Sequence, residues 1–547
     1  MKKLVYLLLF SFSFPLWAQT NYIVNTPNST TPGYNNTFVG ASSGVNTSTI
    51  ASDNTFLGTQ SGNFNTTGRE NTFIGSGAGL RNTTGNLNTF IGASNGINTN
   101  TGQLNTFLGA EAGSSNTTGS GNMFVGAWTG FWSATGNENA FLGTYTGYNN
   151  LTGSSNTFVG NSAGFNNTSG NANTFIGRNT GTFSTTGSNN IFVGYNTGSN
   201  NKTGSANTYL GTGAGFNNQD GQKNVIIGDS AGYENLVSNN MFVGSKAGYS
   251  NKNGQKNTLL GYQAGYYSVA DSNTFIGYQA GYQTTSGKGN TFLGVNAGGS
   301  ISEGSHNTII GTKAGPSSID SDDNVYLGFN SGAHDSGSGN TLLGTGSDAI
   351  AQHLTNATAI GAGATVAVSD AVILGNQASV GIGTSAPTAR LEVNSGTDNE
   401  SGVRLSRLTA NSPVQLATTD KLLTVDATGK LILTSAGHYS VRSVADWSDK
   451  VFMAGYKLRP LGEVENYIQT HQHLPGVPSA VEVVEQGIDA ARMDAKLLEK
   501  IEELTLYSIQ LEKRLAEKER IHQQELQTIK QKQAQLERQL RELLSRK

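Results

Sequence analysis

From residue 36 onward, apolar and small polar positions return in one fixed order. The phrase NTFIGSGAGLRNTTGNL (71–87) is followed by NTFIGASNGINTNTGQL and then by NTFLGAEAGSSNTTGSG. A marker glycine closes each Asn-Thr-Phe-(Ile/Leu/Val)-Gly phrase. The markers run from Gly40 to Gly375 in 21 copies, most of them seventeen residues apart. Asn stands four before the marker in the first nineteen copies, from Asn36 to Asn340. Two before it stands a large apolar residue, such as Phe38, Phe73, Tyr209, Ile226 or Leu259, and one before it stands Val, Leu or Ile. A second glycine follows four after the marker (Gly44, Gly79, Gly164), and often a third ten after it (Gly68, Gly85, Gly204).

A fixed period of this size is the mark of a repeat architecture, in which each unit buries its apolar face on its neighbours. A helix does not accommodate the pattern: there is no 3.6-residue stripe, and each interior glycine costs a helix about 1 kcal/mol. Short β-rich runs bounded by glycine fit instead, with the glycines expected at positive-φ corners. The predicted fold is all-β, a β-roll or β-solenoid of about 17 residues per coil. Like residues lie over like, about 4.8 Å apart, so 21 coils make a rod roughly 100 Å long. The Asn row becomes a ladder of side-chain amides and the Phe row a stack. Disorder is rejected because a disordered chain does not hold an apolar pair in register. Neighbouring strand residues point to opposite faces. One of the two adjacent apolar rows therefore fills the coil, and the other forms an outward ridge calling for a partner. The pattern leaves open which row is which.

The periodicity changes at the C-terminal end. Leu497, Ile501, Leu504, Leu511 and Leu515 recur at heptad-like intervals. After a shift of phase the pattern resumes at Leu526, Ile529, Leu536, Leu540 and Leu543. This predicts an α-helical coiled coil with a stutter. Charge follows the same division: residues 494–547 carry 22 charged residues of 54, against 25 of 340 in 36–375. Between the two, Leu461, Val464, Tyr467 and Ile468 mark a helical face. Ser479 and Glu482 have capping-box spacing before a short helix that Gly487 stops.

Composition narrows the class further. A net charge of -3 in 547 residues gives no basic stripe for nucleic acid. The absence of cysteine excludes disulfides, thiol chemistry and a lipidated N-terminal Cys. The opening MKKLVYLLLFSFSFPLWAQT has Lys2 and Lys3, then a short apolar core broken by Pro15, and Ala18 at a cleavage point. It is a signal peptide rather than an anchor. The mature chain is expected to be secreted or at the cell surface, with no transmembrane segment. The expected layout is signal peptide 1–18, linker 19–35, repeat β-roll 36–375, β-rich neck 376–440, small mixed α/β domain 441–492 and coiled coil 493–547.

The phrase ATAIGAGATVAVSDAVILGNQ (357–377) resembles the head repeats of trimeric autotransporter adhesins, and the NTFIG units look like a longer variant of them. VGIGTSAPTARLEV (380–393), DWSDKVF, YKLRPLGEVENYI, HLPGVPSAVEVVEQGI and LLEKIEELTLY, the last four within 446–511, resemble the tail-fibre-type region of secreted bacterial fibre-like proteins. These resemblances imply a homotrimeric, exported, fibrous protein that is adhesin-like. The chain departs from the autotransporters in lacking a C-terminal barrel ending in an aromatic residue.

Candidate chemistry is sparse. No catalytic, cofactor-binding or metal-ligating residue is assigned and no cofactor is expected, so the chain is read as no enzyme. Asp229, Glu234, Lys246 and Asp271 occupy different repeat positions, which weakens the alternative of a carbohydrate-active solenoid enzyme. Asp320, Asp322 and Asp323 fit an exposed turn better than a cation site. His471 and His473 are a weak metal pair and fit a loop or packing role. Trp447-Ser448-Asp449-Lys450 distantly resembles the start of self-cleaving tail-fibre chaperones, but Val451, Phe452 and Met453 follow where Arg and Lys belong. An ice-binding face needs a flat Thr lattice, whereas here Thr forms one row. The expected partners are the chain itself, as a homotrimer, and glycans or other surfaces met by outward Asn, Thr, Ser and Tyr.

Overall fold

A computed structural model describes residues 22–24, 33–315, 320–396, 403, 421–425, 431–435, 448–486 and 490–546. The expected signal peptide, most of the linker, and Gly487 lie outside these residues. The chain divides into two units, Met1–Arg404 and Leu405–Lys547.

In the first unit each Thr-Phe-Ile phrase is a three-residue strand, such as Thr72–Ile74. Successive strands pair in parallel and in register, so that Phe73 lies between Phe56 and Phe90. Among the described residues, 22 strands join one sheet, from Tyr22–Val24 to Val372–Leu374. The result is a parallel β-solenoid with about 17 residues per coil. Towards its C-terminal end a second strand enters the coil, Asp348–Ala349 pairing with Thr365–Val366. Val380–Ile382 and Leu391–Val393 then form a separate parallel pair.

The structure settles which apolar row is interior. Phe56, Phe73 and Phe107 are wholly buried, whereas their neighbours Leu57 and Leu108 stay 45% and 44% exposed. From Phe38 to Tyr209 the rings stack without a break. Their centroids lie 4.7–5.0 Å apart, as for Phe38–Phe56 and Phe192–Tyr209. The glycine four after the marker makes room for the ring. A Cβ on Gly79, whose φ is +59°, would come within 2.5 Å of the Phe73 ring.

The Asn row does more than bridge copies. The Nδ2 group of Asn71 donates to Asn54 Oδ1 (3.1 Å) and to the Gly85 carbonyl (2.9 Å), and its backbone N–H donates to the same Asn54 Oδ1 (3.0 Å). Each amide thus satisfies buried backbone that three-residue strands leave unpaired. A second buried row, seven after the marker, was not apparent in the sequence because it mixes Asn with Ser and Thr. Asn82 Nδ2 donates to Asn65 Oδ1 (2.8 Å), and Asn167 Nδ2 donates to Asn150 Oδ1 (2.6 Å).

The glycine rows differ from the expectation in one respect. The third glycine is no positive-φ corner. Gly68 is absent from that region, and it is small because a Cβ there would lie 2.5 Å from the Gly85 carbonyl oxygen. Two other corners in most coils are left-handed without glycine, as at Leu87 (φ 59°) and Ser94 (φ 57°), while Gly77 and Gly121 take such a corner in others. A residue other than glycine there costs about 1–2 kcal/mol. Coil-to-coil bonds offset it: Leu87 N–H donates to Arg69 O (3.0 Å) and Ser94 N–H to Ser76 O (2.9 Å).

The second unit holds an antiparallel hairpin of Lys421–Val425 with Leu431–Ser435, a 3-10 turn Ser448–Phe452 and three helices. These are α1 (Leu461–His471), α2 (Ala480–Gln486) and α3 (Ala490–Leu544). The α2 start has the expected box: Glu482 N–H donates to Ser479 Oγ (3.2 Å), and Ser479 N–H donates to Glu482 Oε2 (2.8 Å). Helix α1 ends at a left-handed Gln472. The turn docks on α3 through Lys450 and Glu499 (3.0 Å), with Val451 buried. The Tyr456 hydroxyl bonds Glu503, and the Tyr507 hydroxyl bonds the Arg459 carbonyl.

Candidate interaction surface

Three outward surfaces arise directly from this geometry. The first is the strand face of the roll. With Phe turned inward, the residues on either side of it point out together. Thr55 and Leu57, Thr106 and Leu108, and Thr291 and Leu293 are exposed in this way. Most strands therefore add one Thr and one aliphatic side chain to two parallel rows. Met123, Ile191 and Met241 replace Thr in some coils, and each is about half exposed. The aliphatic row runs from Val39 to Leu374, roughly 100 Å at the strand spacing.

The second surface is the apolar seam of α3. Its ten residues, from Leu497 to Leu543, are between 41% and 69% exposed. Along a helix of 55 residues, a stripe at these intervals has the spacing of a coiled-coil seam.

The third surface is aromatic. Five after the marker stand Phe131, Tyr148 and Phe165, and later Phe216, Tyr233, Tyr249, Tyr266 and Tyr282. Each set forms a partly exposed stack with centroids 5.0–5.4 Å apart. Burial first, then the phenols of Tyr266 and Tyr233, push the Tyr249 hydroxyl above its ordinary value. Six after the marker stand Phe64, Trp132, Phe183 and Tyr267, each close to half exposed. Trp132 stands at 83° to Phe131, and Tyr267 at 75° to Tyr266. This surface was missed in the sequence because the aromatics recur irregularly. Counting aromatics by position after the marker glycine would have found them.

The residues considered for chemistry are placed apart. Glu234 pairs with Lys252 (3.3 Å), and Asp271 accepts from Gln255 N–H (2.7 Å). Lys246 bonds Asp229 only through the backbone (2.8 Å). Asp322 accepts from Ser305 N–H (2.7 Å), Asp323 faces His306 (3.5 Å), and Asp320 is exposed. His471 stacks on Tyr467, and His473 meets the same ring edge-on. Lys450 is held by Glu499. Among the described residues no group of three or more His, Asp or Glu gathers as a metal site. No described helix is long and apolar enough to cross a membrane. No protein-family model matches the chain, and no curated protein matches it.

Proposed function

We propose that this chain is an exported, homotrimeric fibre that serves at a surface as an adhesin-like or tail-fibre-like protein. The observation that carries the reading is the unbroken aliphatic row on the strand face. Monomeric proteins rarely leave contiguous apolar patches beyond a few hundred Å², and this row follows the whole solenoid. Packing identical rods about a common axis covers it with copies of itself. The exposed seam of α3 offers the same solution at the other end of the sequence, where a parallel coil aligns the chains in register. The resemblance of 357–377 and 446–511 to trimeric fibre proteins supplies the number three. A fibre of this kind acts by geometry, since many weak contacts along one rod sum to firm attachment.

The test is sedimentation of residues 19–547. A trimer of high axial ratio is the expected species, and a monomer overturns the reading. Leu108→Lys with Leu142→Lys changes only outward side chains. It is expected to weaken the trimer while leaving the β-sheet circular dichroism intact. Export is tested by fractionating cells that make the full chain, and retention in the cytoplasm overturns that part.

A further inference from the structure

The rows six and eight after the marker glycine run along the solenoid, and neither the ridge nor the seam uses them. Between Phe64 and Thr117 they line an open groove of about 440 Å³, together with Arg81, Thr83, Asn98 and Asn100. Aromatic rings recur along the first of these rows at Phe64, Trp132, Phe183 and Tyr267. They stand three to five coils apart, or about 14–24 Å at the strand spacing. Between them the row is largely amide. Asn149 Nδ2 donates to Asn166 Oδ1 (2.9 Å), and Asn200 Nδ2 donates to Asn217 Oδ1 (2.9 Å).

Charge is sparse on both rows, which carry Arg81, Lys202, Glu234 and Lys252. Arg81 is engaged by Asn98 Oδ1 (3.1 Å), and Glu234 is engaged by Lys252. Ring orientation separates these aromatics from the stacks beside them. Rings in the stacks face one another along the fibre, so they turn edges outward. Trp132 and Tyr267 lie nearly perpendicular to their stacks, so their planes run along the fibre and leave ring surface in solvent.

We propose that this pair of rows, grooved at its N-terminal end, binds a linear, neutral polysaccharide lying parallel to the fibre axis. The C–H faces of its sugar rings rest on Trp132 and Tyr267, and its hydroxyls meet the amides between them. A flat amphipathic ring with few rotatable bonds gives contact area at low entropic cost. A polymer repeating along its own length suits a surface that repeats along the rod. An anionic polymer would instead need a continuous row of cations, and the two rows hold only Arg81, Lys202 and Lys252, three or more coils apart, the last paired with Glu234. The inference rests on the fibre reading and names its ligand class.

The experiment is native electrophoresis of the mature chain through gels containing soluble cellulose ether, glycol chitin, starch or polygalacturonate. At least one neutral polymer is expected to retard the protein, with little change at 1 M salt. Trp132→Ala with Tyr267→Ala is expected to weaken that retardation about tenfold or more, since two ring contacts are lost, with the trimer and the circular dichroism unchanged. Tryptophan emission gives a second readout on the unaltered protein. Trp128 and Trp132 are two of the three tryptophans after residue 18, so the binding polymer should shift the emission. Three results overturn the proposal: no retardation by any neutral polymer, retardation by polygalacturonate alone, or retardation indifferent to the double substitution. A trimeric fibre that ignores all four polymers removes this groove and leaves the fibre standing, whereas a monomer removes the fibre.

Discussion

At the scale of the residue, the solenoid is a set of vertical rows, each with its own tolerance. The inner Asn row is continuous, and the Oδ1 of each copy accepts from the backbone N–H of the copy after it, as Asn71 does from Asn88 (3.0 Å) and Asn156 from Asn173 (2.9 Å). The second row is interrupted wherever Ser or Thr replaces Asn, and at three of these breaks the amide oxygen before the break is orphaned. Asn82 Oδ1 precedes Thr99, Asn116 Oδ1 precedes Ser133, and Asn167 Oδ1 precedes Ser184. A buried acceptor left without a donor costs about 1–3 kcal/mol. Ser184→Asn places an amide donor where Asn167 Oδ1 needs one, as Asn167 does for Asn150. The substitution is expected to stabilise the roll by about 1 kcal/mol, seen as slower amide exchange in residues 167–201. Faster exchange would mean that the larger side chain does not fit. The same rows explain what could be read beforehand. The first Asn row and the Phe row were legible because they repeat with little change. The inward choice between Phe73 and Ile74 was not, because both are apolar and only the thickness left by Gly79 decides it. Left-handed Leu87 and Ser94 carry no compositional sign at all, since the neighbouring coil's carbonyls hold them there.

At the scale of the element, no single strand here is stable alone, and stacking supplies what three residues cannot. The helices of the second unit follow different rules. Helix α3 was visible from its heptads, and the capping box of α2 from two residues. The docking of Ser448–Phe452 on α3 was not visible, because it depends on an ionic cluster formed by residues about fifty positions apart. Burial alone would raise the Glu499 carboxyl. The ammonium groups of Lys496 (2.9 Å) and Lys450 (3.0 Å) outweigh it and hold the group below its ordinary range. A depressed carboxyl stabilises the folded form above its unfolded value, and that stability is lost as pH falls through the folded value. The dock is therefore expected to hold at neutral pH and to loosen below about pH 4. Amide exchange at residues 450–456 measures this. Glu499→Gln should abolish the acid dependence and weaken the dock at pH 7. An acid dependence that survives the substitution would assign it to another group.

At the scale of the whole molecule, the solenoid is one-dimensional: each coil meets only its neighbours, so length and stability vary by whole units. Deleting Asn71–Leu104 removes 34 residues, two full coils. The deletion brings Asn105 onto Asn54 and Phe107 onto Phe56, the same residue types that meet in the intact chain. Such a chain is expected to fold with nearly unchanged thermal stability and a rod about 10 Å shorter. Removing 71–100, thirty residues, leaves four extra positions before Asn105. The amide and ring rows then arrive out of phase with the coil below. Buried Asn side chains lose their acceptors, each break costing about 1–3 kcal/mol, and melting should fall or split into two transitions. Rod length by electron microscopy and melting by circular dichroism distinguish the two outcomes. Equal tolerance of both deletions would mean that vertical register does not hold the fibre together. The proposed rows for self-association and polysaccharide would then have no fixed spacing on which to act.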